Sequence, residues 1–257
     1  MTAILEARNL HKTFGAVTAA NDVCASINEH SVVGLIGTNG AGKTTFVNMV
    51  TGYLKPSSGS ILFAGRDITP LPPRDITRLG IARSFQIPQL YDTLTVHDNL
   101  VIALGIVLRN GKASFFSKLP SHVPGHNDNL ENVVESLLSK FNLLDYRNRE
   151  ACILPQGVRK QLDIAMAMAG KPQVLLLDEP TSGVAAEEKF GIMDMIMNAV
   201  RVEKVTVLFV EHDMDIVAKY SDRVLAFYDG RIIADQAPHD ALNNADVQRY
   251  VTGKRHA

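Results

Sequence analysis

The chain has no tryptophan, two cysteines and a formal charge of only −1 over 257 residues. Each shortage excludes a class of function. Cys24 and Cys152 are too few for a disulfide framework and lack metal-ligand spacing, so both read as inert core thiols in a reducing compartment. With 26 basic against 27 acidic residues, nothing argues for a nucleic-acid partner held by bulk charge. The closing Lys254, Arg255 and His256 read as a small solvated tail. No uncharged apolar run approaches the ~18 residues of a spanning helix. Charges occupy the opening MTAILEARNLHKTF, where a signal peptide needs its apolar stretch. The expectation is a soluble chain that meets a membrane only through partners.

What is present is a set of short apolar runs. SVVGLIG (31–37), SILFAG (60–65), VLLLD (174–178), VTVLFVEH (205–212) and RVLAFY (223–228) are rich in Val, Ile, Leu and Phe and bounded by turn residues. Near-continuous apolar strands alternating with helical patterns predict a mainly parallel sheet covered on both faces. Helical periodicity marks 42–52, 129–144, 159–169 and 187–202, and the methionines of the last two read as core filling. Between about 86 and 154 the strand pattern gives way to helices around a Pro/Gly/Ser-rich connection, GKASFFSKLPSHVPGHN (111–127). In that connection His122 and His126 stand four apart, but off any helix, so a metal site is not expected. Phe115 and Phe116 read as a local loop staple, with a membrane-facing or partner-facing contact as the alternative.

The most specific feature is GTNGAGKTT, comprising Gly37, Thr38, Asn39, Gly40, Ala41, Gly42, Lys43, Thr44 and Thr45. It follows an apolar strand and opens a helix, the setting that the phosphate-loop pattern requires. Its glycines let backbone N–H groups curl round a polyphosphate, and the helix N-terminus favours negative charge. Lys43 would reach the β- and γ-phosphates, and the Thr44 hydroxyl would hold Mg²⁺. Downstream, VLLLDEP carries Asp178 and Glu179 to a strand end, where open α/β sheets bind ligands. Asp178 is expected to hold Mg²⁺ through water and Glu179 to polarise an attacking water. VTVLFVEH ends likewise at His212, a candidate γ-phosphate contact or an ordinary capping histidine. No NKxD for guanine and no arginine-rich lid is present, which disfavours a small G-protein and a nucleotide kinase.

The order of these motifs resembles the ATP-binding cassette family of transport ATPases over residues 4–252. The resemblance implies an α/β P-loop NTPase (RecA-like) core with a mixed, mainly parallel sheet, an antiparallel β subdomain and an inserted α-helical subdomain. As one nucleotide-binding domain, 1–257, it would have its core at 1–86 and 155–235, helices at about 87–154 and a C-terminal helix at about 238–252. It implies ATP and Mg²⁺ as ligands. Phe14, in KTFGAV, would stack on adenine, and Gln86, in RSFQIP, would couple the Mg²⁺ site to the membrane part. FQIPQLYDTLTVHDNLVIAL and EHDMDIVAKYSDRVLAFYDGRIIADQAP further resemble ATPases of branched-chain and hydrophobic amino-acid importers. The implied partners are integral membrane permeases, a second ATPase subunit and, indirectly, a solute-binding protein, at the cytoplasmic face of a bacterial inner membrane. A stand-alone exporter ATPase and a soluble non-transport cassette remain alternatives.

LPQGV (154–158) sits where that family has its signature loop, usually LSGGQ, which completes the nucleotide site of the opposite subunit. Here Pro155 replaces Ser, Gln156 replaces the first Gly, and Val158 stands at the Gln position; Gly157 is retained. Proline has no N–H to give, although its φ suits a first helical turn. Ala185 follows where Asp or Asn is usual. Two readings stand: a heterodimer whose other site is weakened by this loop, or a tolerated spelling, because backbone donors dominate such anion sites.

Overall fold

The computed structural model describes residues 3–109 and 129–253. The loop carrying Phe115, Phe116, His122 and His126, and the 254–256 tail, lie outside the described residues. The chain divides into two units, Met1–Leu79 with Thr206–Ala257, and Gly80–Val205.

The first unit opens with β1 (Ala3–Phe14) and β2 (Val17–Asn28), an antiparallel hairpin turning at Gly15, whose φ is +56°. Then come β3 (Val32–Gly37), α1 (Lys43–Val50), β4 (Ser58–Phe63), β5 (Arg66–Asp67) and α2 (Pro73–Leu79). The order β2-β1-β4-β5 forms an antiparallel sheet. On β2 the period of two turns Val23, Ala25 and Ile27 inward. The same alternation leaves Cys24 exposed.

The second unit holds β6 (Ile81–Ser84), α3 (Val96–Arg109), α4 (Leu130–Lys140), α5 (Gln156–Met168), β7 (Val174–Asp178) and α6 (Ala186–Val202). β6 and β7 run parallel with Ser84 opposite Leu177, and all of β7 is buried, which is why its sequence is a continuous apolar run. Asn129 caps α4 by accepting the Asn132 N–H at 2.9 Å. The helical character expected between 86 and 154 holds among the described residues, with an isolated Thr95–Glu150 bridge beside it. Met193 and Met197 of α6 are core filling, as their spacing suggests. Cys152 is exposed in a single 3₁₀ turn, Ala151–Ile153. The expectation of two core thiols is therefore corrected: one points outward from a strand and the other lies in a surface turn.

The chain returns to the first unit with β8 (Thr206–Val210), α7 (Met214–Tyr220), β9 (Arg223–Tyr228) and β10 (Arg231–Gln236). β3 lies between β8 and β9, parallel to both, and β10 pairs antiparallel with β9. The C-terminal segment is not one continuous helix. α8 (Pro238–Asn243) stops at Asn244, whose side chain accepts from the Asp246 and Val247 N–H groups and so caps α9 (Ala245–Val247). A π-helical turn, Gln248–Thr252, follows. Among the described residues no helix is long and apolar enough to cross a membrane.

Candidate nucleotide site

In the first unit, the buried β3 delivers the chain to a loop that α1 closes. Three glycines permit it. Gly37, Gly40 and Gly42 have φ of +153°, +80° and +108°. A Cβ on Gly37 would lie 2.5 Å from the Phe227 carbonyl oxygen, and one on Gly42 would lie 2.8 Å from that of Ala19. The loop is thus pressed against β9 at Gly37 and against β2 at Gly42, with no room for a side chain at either position. Gly230, just beyond β9, donates its N–H to the Ala41 oxygen at 3.1 Å, and the Phe46 and Phe227 rings pack with centroids 5.5 Å apart. Thr38, Asn39 and Gly40 are exposed while Ala41 is buried.

Lys43 is 5% exposed, and its ammonium donates to the Gly37 and Thr38 carbonyls at 2.7 and 3.0 Å. The charge is therefore held inside the loop rather than spread over the surface. No side chain caps α1 and no acidic residue occupies its first turn. Its N-terminal N–H groups and dipole make an anion site. Thr44 is exposed at this end and Thr45 half-buried. β8, the parallel neighbour of β3, ends with Val210 opposite Leu35, so buried Glu211 and exposed His212 leave the sheet at the same edge as the loop. The caps of α7 come from Asp213 rather than His212. Phe14 stands half exposed at the tip of the β1–β2 hairpin, with the Lys12 ammonium 5.3 Å from its ring centre.

In the second unit, β6 and β7 end side by side and bring four side chains together. Arg83 Nη2 donates to Asp178 Oδ2 at 2.6 Å, with 8% and 10% of the two side chains exposed. Gln86 Nε2 donates to Glu179 Oε2 at 2.8 Å. Glu179 adopts φ +49°, a left-handed conformation that costs a non-glycine residue about 1–3 kcal/mol and gathers at working sites. Pairing of Gln86 with Glu179 joins two residues chosen from sequence; the Arg83 partner of Asp178 was not among them.

Pro155 is the N-cap residue of α5 at φ −55°, with no side-chain cap, and its carbonyl accepts the Arg159 N–H at 3.0 Å. Pro155 and Gln156 are exposed, and Gly157 is half-buried. A Cβ on Gly183 would meet Gln156 Cγ at 3.3 Å, and one on Gly157 would lie 3.8 Å from Glu188 Oε2. The helix start thus offers backbone donors but has a carboxylate close by. Further along α5, Lys160 and Asp163 are buried and bond to residues 85–89, another set that motif reading passed over. No cluster of three or more His, Cys, Asp or Glu suited to a metal occurs among the described residues.

Comparison with known proteins gives one answer. The family model described as ABC transporter matches residues 20–182. The high-affinity branched-chain amino acid transport ATP-binding protein LivG of Salmonella typhimurium is 35% identical, with 98% of each chain covered. BraF of Pseudomonas aeruginosa, named for the same transport, is 34% identical over 98% of each chain. Among solved structures, the ADP conformation of MJ1267, an ATP-binding cassette of an ABC transporter, superposes with a TM-score of 0.80 at 30% identity, covering 97% of this chain and 98% of that one. The chain belongs to the ABC transporter family, as an ATP-binding, ATP-hydrolysing cassette that works with membrane permease components.

Proposed function

We propose that this chain powers an importer of branched-chain amino acids or related small solutes, docked on permeases at the cytoplasmic face of a bacterial inner membrane. A solute-binding protein would choose the cargo, so this chain does not touch it. The observation that carries the proposal is the likeness to LivG and BraF over 98% of this chain and of each of theirs.

In this role Gly37–Thr45 wrap the phosphates, with Lys43 on the β- and γ-groups and Phe14 against adenine. Thr44 and Asp178 would hold Mg²⁺, with Gln86 beside it. Each donor type suits Mg²⁺: Thr44 offers an exposed hydroxyl at a helix start, and Asp178 offers a carboxylate, which also accepts from Arg83 through Oδ2. Mg²⁺ supplies charge that offsets the phosphoryl oxygens. Glu179 accepts the proton of the attacking water as its oxygen bonds to the γ-phosphorus and the bond to ADP breaks. His212 contacts the γ-phosphate.

The pairing proposed is with a second, different cassette. Pro155 removes one donor and Glu188 adds a nearby negative charge, so Gln156, Gly157 and the dipole of α5 serve the partner's nucleotide poorly. Losing one donor to a charged phosphate costs about 1.5–3 kcal/mol, or roughly 10- to 100-fold. The test is a pull-down from gently solubilised membranes of the native organism, followed by ATPase assay of the complex. Two permeases and a non-identical cassette are expected, with Glu179→Gln removing most turnover. Recovery from the cytosol alone would overturn the importer role; a residual rate above that of the partner's equivalent variant would overturn the direction of asymmetry.

A further inference from the structure

Two buried charges on α5 hold the loop that carries Gln86. Lys160 is 1% exposed and Asp163 is 6% exposed, and they stand one turn apart on the same face of the helix. Lys160 Nζ donates to the Phe85 carbonyl at 3.1 Å and to the Gln86 carbonyl at 2.5 Å. Asp163 accepts the Phe85 N–H on Oδ2 at 3.1 Å and the Gln89 N–H on Oδ1 at 3.0 Å. The main chain of 85–89 is therefore gripped at both ends, with Pro88 buried between. Burying an ammonium and a carboxylate costs several kcal/mol unless their partners are well placed. A loop wanted only for packing needs no charges; apolar contacts would serve.

We propose that Lys160 and Asp163 are positioning residues that hold Gln86 where its amide reaches Glu179, so that the helix beginning at Pro155 sets the geometry of this chain's own hydrolytic carboxylate. A helix is stiff over the five residues from Pro155 to Lys160, so a tilt of α5 moves the 85–89 backbone with it. What the helix start senses at the opposite subunit then reaches Glu179 through two side chains. This role rests on the ATPase assignment and adds a control to the same site.

The test uses the full chain in complex with the membrane partners it co-purifies with, carrying Lys160→Met or Asp163→Asn. Each is expected to lower kcat about 10- to 100-fold. KM and binding of a fluorescent ATP analogue, which report on the Lys43 loop, should change less than about threefold. In a Gln86→Ala background neither substitution should lower kcat further, because both act through Gln86. Lys160→Arg, which keeps charge and donors, should recover most of the rate. Because the chain lacks tryptophan, Ile87→Trp beside Gln86 gives the full chain, measured apart from its partners, a single indole reporter. Its ATP-induced emission change should vanish with the Asp163→Asn change. Additive losses with Gln86→Ala, equal losses of binding and turnover, or an unaltered kcat would overturn the role. Should Asp163→Asn not fold, Lys160→Gln enters the same cycle. Failure of the ATPase assignment looks different: Glu179→Gln would then match the unmodified chain.

Discussion

Arg83 and Asp178 form a buried ion pair, Nη2 to Oδ2 at 2.6 Å, at the ends of two parallel strands. A positive charge thus already faces the carboxylate proposed for Mg²⁺. Breaking such a pair from one side leaves the other charge buried and costs about 3–5 kcal/mol. Arg83→Met should therefore lower stability by about that much in urea unfolding without metal. Mg²⁺ with ATP should stabilise the variant more than the unmodified chain, since it restores a counter-charge. Equal stabilisation of the two would remove Asp178 from the metal site.

Gly42 is the point where the phosphate loop meets β2. Its φ of +108° and the 2.8 Å approach to the Ala19 oxygen leave no place for a methyl group. Gly42→Ala should destabilise the first unit by about 1–3 kcal/mol and weaken ATP binding at least tenfold in a fluorescent-nucleotide titration. Gly191→Ala, where a Cβ meets nothing within 4 Å, should change binding little and serves as the control.

Glu188 lies near the start of α5, where a carboxylate opposes the positive end of the helix. Removing it should strengthen anion binding there by about 0.3–1 kcal/mol, or roughly two- to fivefold. The measurement is ATPase activity of the two-cassette complex with this chain's own site silenced by Glu179→Gln. Adding Glu188→Gln should then raise the remaining turnover by that factor. No change would show that the loop does not serve the partner's phosphate.

Burial pushes the Asp163 carboxyl from 3.8 up to about 6, against the pull of the Gln89 and Phe85 N–H groups and the Lys160 charge. The folded chain therefore keeps a proton over a range where the unfolded chain has released it. The stabilisation from this group is complete below about pH 4 and is lost as pH rises through 6. The span corresponds to on the order of 3 kcal/mol. Asp163→Asn should show none of that slope, so the difference in urea midpoint between the two chains should move steadily in favour of Asn from pH 4 to 6.5. A constant difference would mean that Asp163 ionises normally.

How much of this was legible in the sequence depended on distance along the chain. GTNGAGKTT carries its strand, loop and helix in one stretch, and VLLLD and RVLAFY match β7 and β9 to the residue because each is a buried run with clear ends. β1 and β2 were harder, since register shifts break their alternation at Ala7–Leu10 and elsewhere. β6 is four residues long with an arginine inside it. Lys160 and Asp163 look like the wet face of an amphipathic helix; what buries them is residues 85–89, more than 70 positions earlier. Arg83 is hidden in the same way, its purpose being set by a carboxylate 95 residues on. Motif reading finds groups that act on a ligand, and it misses the groups that hold those groups still.

The left-handed backbone at Glu179 also bears on which descendants of this chain can survive. Asn, Asp and Gly tolerate that conformation, while Val, Ile and Thr are penalised by their branched Cβ before any chemistry is considered. Inactivated copies arising by gene duplication should accordingly accumulate a narrow alphabet at this position, in which Gln, Asp, Asn or Gly replaces Glu and β-branched residues are scarce. The local shape of the peptide would then act as a sieve on lineages, narrowing the routes by which a working cassette becomes a silent one.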